Sequence, residues 1–222
     1  MSTLSKPTKD TAAPSRVLQY VKENAEKGNV DTVIDAIDQY CYKFESMMHL
    51  GDVKGKILDG IIKEYKPNNL LELGTYCGYS SLRIARLLNP KANFYTVECN
   101  ENYAAVADEI HRFAGMQDKI KIVIGDSSKA IQDMSKKQEV GSFDLVFLDH
   151  RKQFYKRDLI LLEELGMLHT GSVIVADNCV YPGCPDYLEY VRNNPKYKST
   201  NYLSNLEYSE MEDSMEKSVY SG

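Results

Sequence analysis

Apolar and polar positions follow one period in the first third of the chain and another after it. Val17, Tyr20, Val21 and Ala25, then Val33, Ile34, Ile37 and Tyr40-Cys41, recur at helical spacing and predict two amphipathic helices. Gly51 interrupts the pattern, and Gly55 to Tyr65 reads as a third helix that stops before Pro67, whose ring cannot continue it. From Asn69 the rhythm becomes short apolar run, loop, helical segment. It predicts strands at 69–73, 93–98, 120–124, 143–148 and 172–176, with helices near 78–88, 101–114, 128–136 and 156–167. Strands separated by helices mean a parallel sheet, because parallel neighbours require a crossover. The tail breaks this rhythm. Tyr197–Tyr208 and Met215–Tyr220 are β-prone, joined by acidic turn residues with no helix between them, and read as an antiparallel terminal pair.

The apolar runs share a feature that bears on function: each ends at or just before an acidic residue. Leu70-Leu71 runs into Glu72, Phe94–Val97 into Glu98, Ile120–Ile124 toward Asp126, Leu145–Leu148 into Asp149, and Val173–Ala176 into Asp177. Parallel strands put their carboxyl ends on one rim, where open α/β sheets bind ligands. Carboxylates gathered there must serve hydroxyls, amines or cations, since an unpaired group of like charges is costly.

Composition narrows the classes. At 222 residues the chain fits one domain. A formal net charge of -5 with no long run of Lys or Arg gives no field for a polyanion, so nucleic acid is not an expected partner. No apolar stretch approaches the roughly 20 residues that span a bilayer, and the N-terminus MSTLSKPTKDTAAPSR lacks the apolar centre of a signal peptide. Residues 1–14, rich in Ser, Thr, Lys and Pro, read as a disordered leader to a domain at 15–222. Cys41, Cys77, Cys99, Cys179 and Cys184 are odd in number and form no C-x-x-C pair, which suits reduced thiols in the cytoplasm.

Leu70 to Ser80, LLELGTYCGYS, reads as a strand, a glycine-bearing turn and a helix start. Gly74 and Gly78 let the backbone approach a ligand closely, but their G-x-x-x-G spacing is not the G-x-G-x-x-G of a dinucleotide site. Glu72 would also repel a pyrophosphate, which weighs against a nicotinamide-dependent dehydrogenase. A cationic ligand suits the acid better, and S-adenosylmethionine carries both an ammonium and a sulfonium; an ordinary strand-to-helix turn would need the same glycines. Glu98 ends the next strand, where an acid accepts ribose hydroxyls in nucleoside-binding α/β folds. Asp126-Ser127-Ser128 then falls near the adenine; the alternative is that it only caps the following helix.

Asp149-His150-Arg151-Lys152 and Asp177-Asn178 follow adjacent predicted strands. Two carboxylates and an amide oxygen make a hard site suited to Mg²⁺; the alternative is a turn at 177–178, with Asp149 paired to Arg151 or Lys152. A lysine beside a divalent cation is disfavoured in its protonated form, so Lys152 is a candidate general base. Taken alone, a lysine in such a loop is more often a solvated charge.

At these residues the chain resembles the animal catechol O-methyltransferases. The resemblance runs from about Val17 to Gly222 and includes YCYKFESMMHLGDVKG, LELGTYCGYS, FAGMQDKI, VFLDH, ADN, YPGCPDYLEYVR and LEY. It implies a Rossmann-like class I methyltransferase fold: a mostly parallel α/β sheet with an antiparallel C-terminal strand and helices on both faces. It further implies Mg²⁺ on Asp149, Asp177 and Asn178, Lys152 as base, and Glu207 bonded to a catechol hydroxyl. Met48, Leu50, Glu72, Gly74, Tyr76, Ser80, Glu98, Ser127, Asp149 and His150 would surround S-adenosylmethionine. The substrate would be a small-molecule catechol, catecholamines included, held by Asp149, Lys152, Asn178 and Glu207 and walled by residues at Ser46, Arg151 and Pro182. A cytoplasmic monomer that does not insert in membranes is expected. The family usually places tryptophans at the positions of Ser46 and Arg151, and this chain has no Trp at all, whereas Pro182 is retained. A non-catalytic paralogue that keeps the fold is the alternative; it has no physical need of Asp149, Lys152, Asp177, Asn178 and Glu207 together.

Overall fold

The computed structural model describes residues 12–138 and 140–222, so most of the leader expected at 1–14 lies outside the described residues. Three helices come first: α1 (Ala13–Asn24), α2 (Val30–Lys43) and α3 (Gly51–Tyr65). Helix α3 begins at Gly51, not Gly55 as the sequence suggested, so Gly51 opens the helix that it was expected to precede. The repeating unit follows as β1 (Asn69–Leu73), α4 (Tyr79–Ala85), β2 (Asn93–Glu98), α5 (Glu101–Phe113), β3 (Lys121–Ile124), α6 (Ser127–Lys137), β4 (Phe143–Leu148), α7 (Tyr155–Glu164) and β5 (Leu168–Ala176). Helix α8 (Pro185–Asn193), absent from the sequence reading, precedes β6 (Tyr197–Asn205) and β7 (Glu212–Tyr220).

The seven strands form one sheet in the order β3-β2-β1-β4-β5-β7-β6. Strands β1 to β5 pair in parallel and β7 runs antiparallel to both β5 and β6, as expected for the tail. Alternation along the central strands sends neighbouring side chains to opposite faces. Leu70, Phe94, Leu145 and Val173 join the core under α1–α5, and Leu71, Tyr95, Val146 and Ile174 join the core under α6–α8. Burial on both faces explains why these strands read as unbroken apolar runs. Phe147 is fully buried, and its truncation to Ala would cost about 3–5 kcal/mol.

The chain reverses direction across the sheet between β1 and β4, which opens a crevice at their carboxyl ends. Hydrogen bonding between strands continues one step past them: Gly74 N donates to Val97 O at 2.9 Å, Asp149 N to Leu73 O at 2.8 Å, and Asp177 N to Leu148 O at 3.0 Å. The acidic residues at the rim are therefore held by the sheet itself rather than by flexible loops.

Candidate active site

A cleft of about 1130 Å³ opens at this rim, large enough for a nucleoside cofactor and a small second molecule together. Of the residues expected at the cofactor, Met48, Gly74, Tyr76, Glu98, Ser127, Asp149 and His150 line it. Leu50, Glu72 and Ser80 do not; each is buried behind the wall.

The glycine turn is set by close approach. A side chain at Gly74, where φ is +102°, would collide with the Asp149 carbonyl, so β1 and β4 can meet at the rim only through glycine. Tyr76 also adopts a left-handed φ of 48°, and its N–H donates to Glu98 Oε2 at 2.8 Å, joined by Thr75 N–H at 3.3 Å. Glu98 Oε1 accepts Asn100 N–H at 2.9 Å. Glu98 thus clamps the turn while facing the cleft. Behind the turn, Glu72 Oε2 accepts Thr96 Oγ1 at 2.5 Å and also bonds Ser81, while Oε1 is buried without a partner. Burial pushes its carboxyl up to about 7 despite the Ser80, Ser81 and Thr96 hydroxyls. An ammonium or sulfonium nearby would relieve that cost, so this half of the cleft fits a cationic cofactor.

At the adenine end expected from sequence, Asp126 lines the cleft and also caps α6, accepting Ser128 N–H at 3.0 Å and Lys129 N–H at 3.3 Å. Ser127 Oγ donates to Asp158 Oδ2, which also meets His150 Nε2 at 2.8 Å. Burial lowers the His150 pKa, against the pull of Asp158, and its Nδ1 has no partner. His49, not singled out from sequence, lines the cleft beside the Tyr76 ring at 5.2 Å; burial depresses it to about 3, so it is neutral.

The other half of the cleft is acidic. Lys152 Nζ donates to Asp149 Oδ1 at 3.1 Å and to Tyr155 Oη at 2.7 Å. Burial raises the Asp149 pKa, Lys152 opposes this, and the neighbouring Asp177 adds to it. Asp177 is raised for the same first reason, with Lys54 and Lys152 opposing. Asn178, at a left-handed φ of 54°, lines the cleft, and Asp177 lies just behind it. Among the described residues no group of three or more His, Cys, Asp and Glu is arranged to hold a metal. The candidate set of two carboxylates and one amide nonetheless has the hard-oxygen chemistry of a Mg²⁺ site, with an acceptor to spare. Lys54 Nζ lies 2.9 Å from both Asp177 oxygens, yet only Oδ2 accepts its hydrogen bond, and the buried Oδ1 accepts none.

Lys54 and Asp213 were invisible to the sequence reading. Lys54 is 1 % exposed, and besides Asp177 it donates to Asp213 Oδ2 at 2.8 Å and Glu207 Oε2 at 3.1 Å. Burial works against its charge, but the three carboxylates outweigh it and keep the lysine protonated. Of the residues expected to wall the substrate, Glu207, Arg151 and Pro182 line the cleft, Pro182 after a cis peptide bond, whereas exposed Ser46 does not. No helix among the described residues is long and apolar enough to cross a membrane, and all five cysteines are free thiols.

Comparison with known proteins agrees with this geometry. The O-methyltransferase family model matches residues 23–213. The chain is 48% identical to the catechol O-methyltransferase of Mus musculus over 207 residues, covering 93% of this chain and 78% of that protein. It is 49% identical to catechol O-methyltransferase B of Danio rerio over 209 residues, covering 94% and 79%. The transmembrane O-methyltransferase of Homo sapiens is 34% identical, with 93% and 72% covered. Among solved structures, the tomaymycin-synthesis O-methyltransferase of Streptomyces achromogenes in complex with SAM superposes with a TM-score of 0.73 at 20% identity, covering 97% of this chain and 92% of that one, which speaks to the fold alone. The chain belongs to the O-methyltransferase family, as an S-adenosylmethionine-dependent enzyme related to the catechol O-methyltransferases within it.

Proposed function

We propose that this enzyme transfers a methyl group from S-adenosylmethionine to one hydroxyl of a catechol in a Mg²⁺-dependent reaction. The observation that carries the reading is that Lys152, the candidate base, and Glu207, the candidate hydroxyl acceptor, line the same cleft as the glycine turn. Lys152, 3.1 Å from Asp149, and Glu207 both face it. Asp149, Asp177 and Asn178 would hold Mg²⁺, which when bound makes a catechol hydroxyl more acidic and stabilises the oxyanion.

The remaining work falls to the chain. Lys152, oriented by Asp149 and the Tyr155 hydroxyl, takes the proton of the attacking hydroxyl on Nζ. Glu207 accepts a hydrogen bond from the second hydroxyl and fixes which oxygen faces the methyl. The C–O bond forms as the C–S bond breaks, and its electron pair leaves on sulfur as a neutral thioether. Alignment of oxygen, methyl and sulfur supplies most of the rate. The acids at the rim make a catechol a better tenant than a simple phenol, since its second hydroxyl meets an acceptor.

Catecholamines fall within the class, and a monomer acting in the cytosol is part of the proposal. A net charge of -5 and free thiols support that setting. The test is mass spectrometry of products from a catechol panel with S-adenosylmethionine and Mg²⁺. A monomethylated catechol, formed one for one with S-adenosylhomocysteine, is expected. Methylation of simple phenols at the same rate, or of no catechol, would overturn the reading.

A further inference from the structure

Glu207 stands on the turn between β6 and β7, and the hydrogen bonds to its carboxylate come from side chains outside that turn. Its strongest polar contact is Lys54 Nζ at 3.1 Å; the Asn178 amide is farther, at 3.4 Å. Lys54 lies one helical turn beyond Gly51 on the same face of α3. At Gly51 a Cβ would come within 3.0 Å of Glu207 Cβ, so glycine makes the space in which Glu207 crosses the helix and Lys54 supplies the charge that stops it there.

The same nitrogen governs a second wall. Asp213 takes Lys54 on Oδ2 at 2.8 Å and accepts the backbone N–H groups of Val180 and Tyr181 on Oδ1, each at 3.1 Å. Those residues precede Pro182. One fully buried ammonium therefore joins α3, the 179–183 loop and the β6–β7 turn. Removing it would leave three carboxylates facing one another in a dry setting, a strongly unfavourable arrangement that must relax by moving them.

We propose that Lys54 is a positioning residue for the substrate half of the cleft, setting the place of the Glu207 carboxylate directly and that of the Pro182 loop through Asp213. The inference rests on the catechol reading, because it gives Glu207 a hydroxyl to hold. Lys54 itself touches neither reacting atom, so its loss acts on how the ring is seated.

The experiment compares the parent, Lys54→Met, Glu207→Gln and the double variant with a substituted catechol under saturating S-adenosylmethionine. In Lys54→Met at saturating Mg²⁺ the KM for catechol should rise about tenfold and the ratio of the two monomethyl products should move toward unity; kcat should fall as well, because Asp177 loses the same ammonium. Cofactor affinity, measured by calorimetry without metal, should stay within about twofold of the parent, since Lys54 touches none of the cofactor half. In the Glu207→Gln background, Lys54→Met should shift the product ratio by clearly less than it does in the parent, because only the route through Asp213 and the Pro182 loop is left. Lys54→Gln, which keeps a donor without the charge, carries the same expectations if the methionine variant does not fold. Parent turnover with an unchanged KM and ratio in the Lys54 variants overturns the inference alone, as does a ratio shift that persists in full in the double variant. No methylation of any catechol by the parent overturns the catechol reading and this inference with it.

Discussion

Glu98 offers a perturbation whose size can be worked from its contacts. A carboxylate has about four acceptor positions, and here backbone N–H groups of Thr75, Tyr76 and Asn100 take three of them. The fourth meets only the Cys99 thiol at 3.7 Å, a weak contact that a ribose hydroxyl would displace. One charged hydrogen bond to the cofactor is therefore at stake rather than two, about 1.5–3 kcal/mol, or roughly 10- to 150-fold in affinity. Glu98→Ala should weaken S-adenosylmethionine binding by that factor, and also lower stability by releasing the turn at 75–76. Glu98→Gln should fall between, since its carbonyl oxygen serves one side while its NH₂ group opposes the N–H groups on the other. Calorimetric titration without metal, paired with urea unfolding of the same proteins, separates the two effects. Lower stability with unchanged cofactor affinity would show Glu98 to be a clamp of the turn and no part of the binding site.

Lys152→Ala should reduce kcat by about a hundredfold or more while cofactor affinity stays within about twofold; an equal loss of both would mean that the lysine is structural. Arg151, an exposed guanidinium in the cleft wall, should favour catechols bearing a carboxylate over those bearing an ammonium, and the preference should shrink as salt rises. Arg151→Trp should abolish it, and equal kcat/KM for acidic and cationic catechols in the parent would refute it. Burial raises the Asp38 carboxyl to about 6 against the Tyr208 and Tyr79 hydroxyls bonded to it. A folded pKa above the unfolded one means that its contribution is full below about pH 4 and lost as pH rises through about 6, so Asp38→Asn should flatten the fall in melting temperature across that window. Parallel pH profiles for parent and variant would contradict this.

The strands were legible because those buried on both faces leave no polar side for the pattern to lose. The limits show where that logic stops. In β7, Asp213, Ser214, Glu216 and Ser218 are each no more than 1 % exposed, so the strand begins at Glu212 although the apolar criterion starts it at Met215. Its polar side chains are satisfied by partners distant in sequence, such as Arg192 on Glu216 at 2.8 Å. Helix α8 carried a signal that went unread: proline in its first turn, with Tyr187 and Val191 buried four residues apart. The rim acids could be read from where apolar runs stop. Lys54 could not, because nothing local distinguishes a buried lysine from a solvated one; the carboxylates that bury it lie 123, 153 and 159 residues away. Ser46 shows the reverse failure, a position assigned to the wall by resemblance whose small side chain does not reach the cleft.

The most direct test of the account is the initial rate of catechol methylation after exhaustive chelation, then on adding back Mg²⁺ or Ca²⁺. The rate should vanish in chelator and return with Mg²⁺, with Ca²⁺ supporting it poorly because longer bonds and looser geometry displace the attacking oxygen. Full turnover in chelator would contradict the assignment of Asp149, Asp177 and Asn178 to a metal, and with it the proposed chemistry.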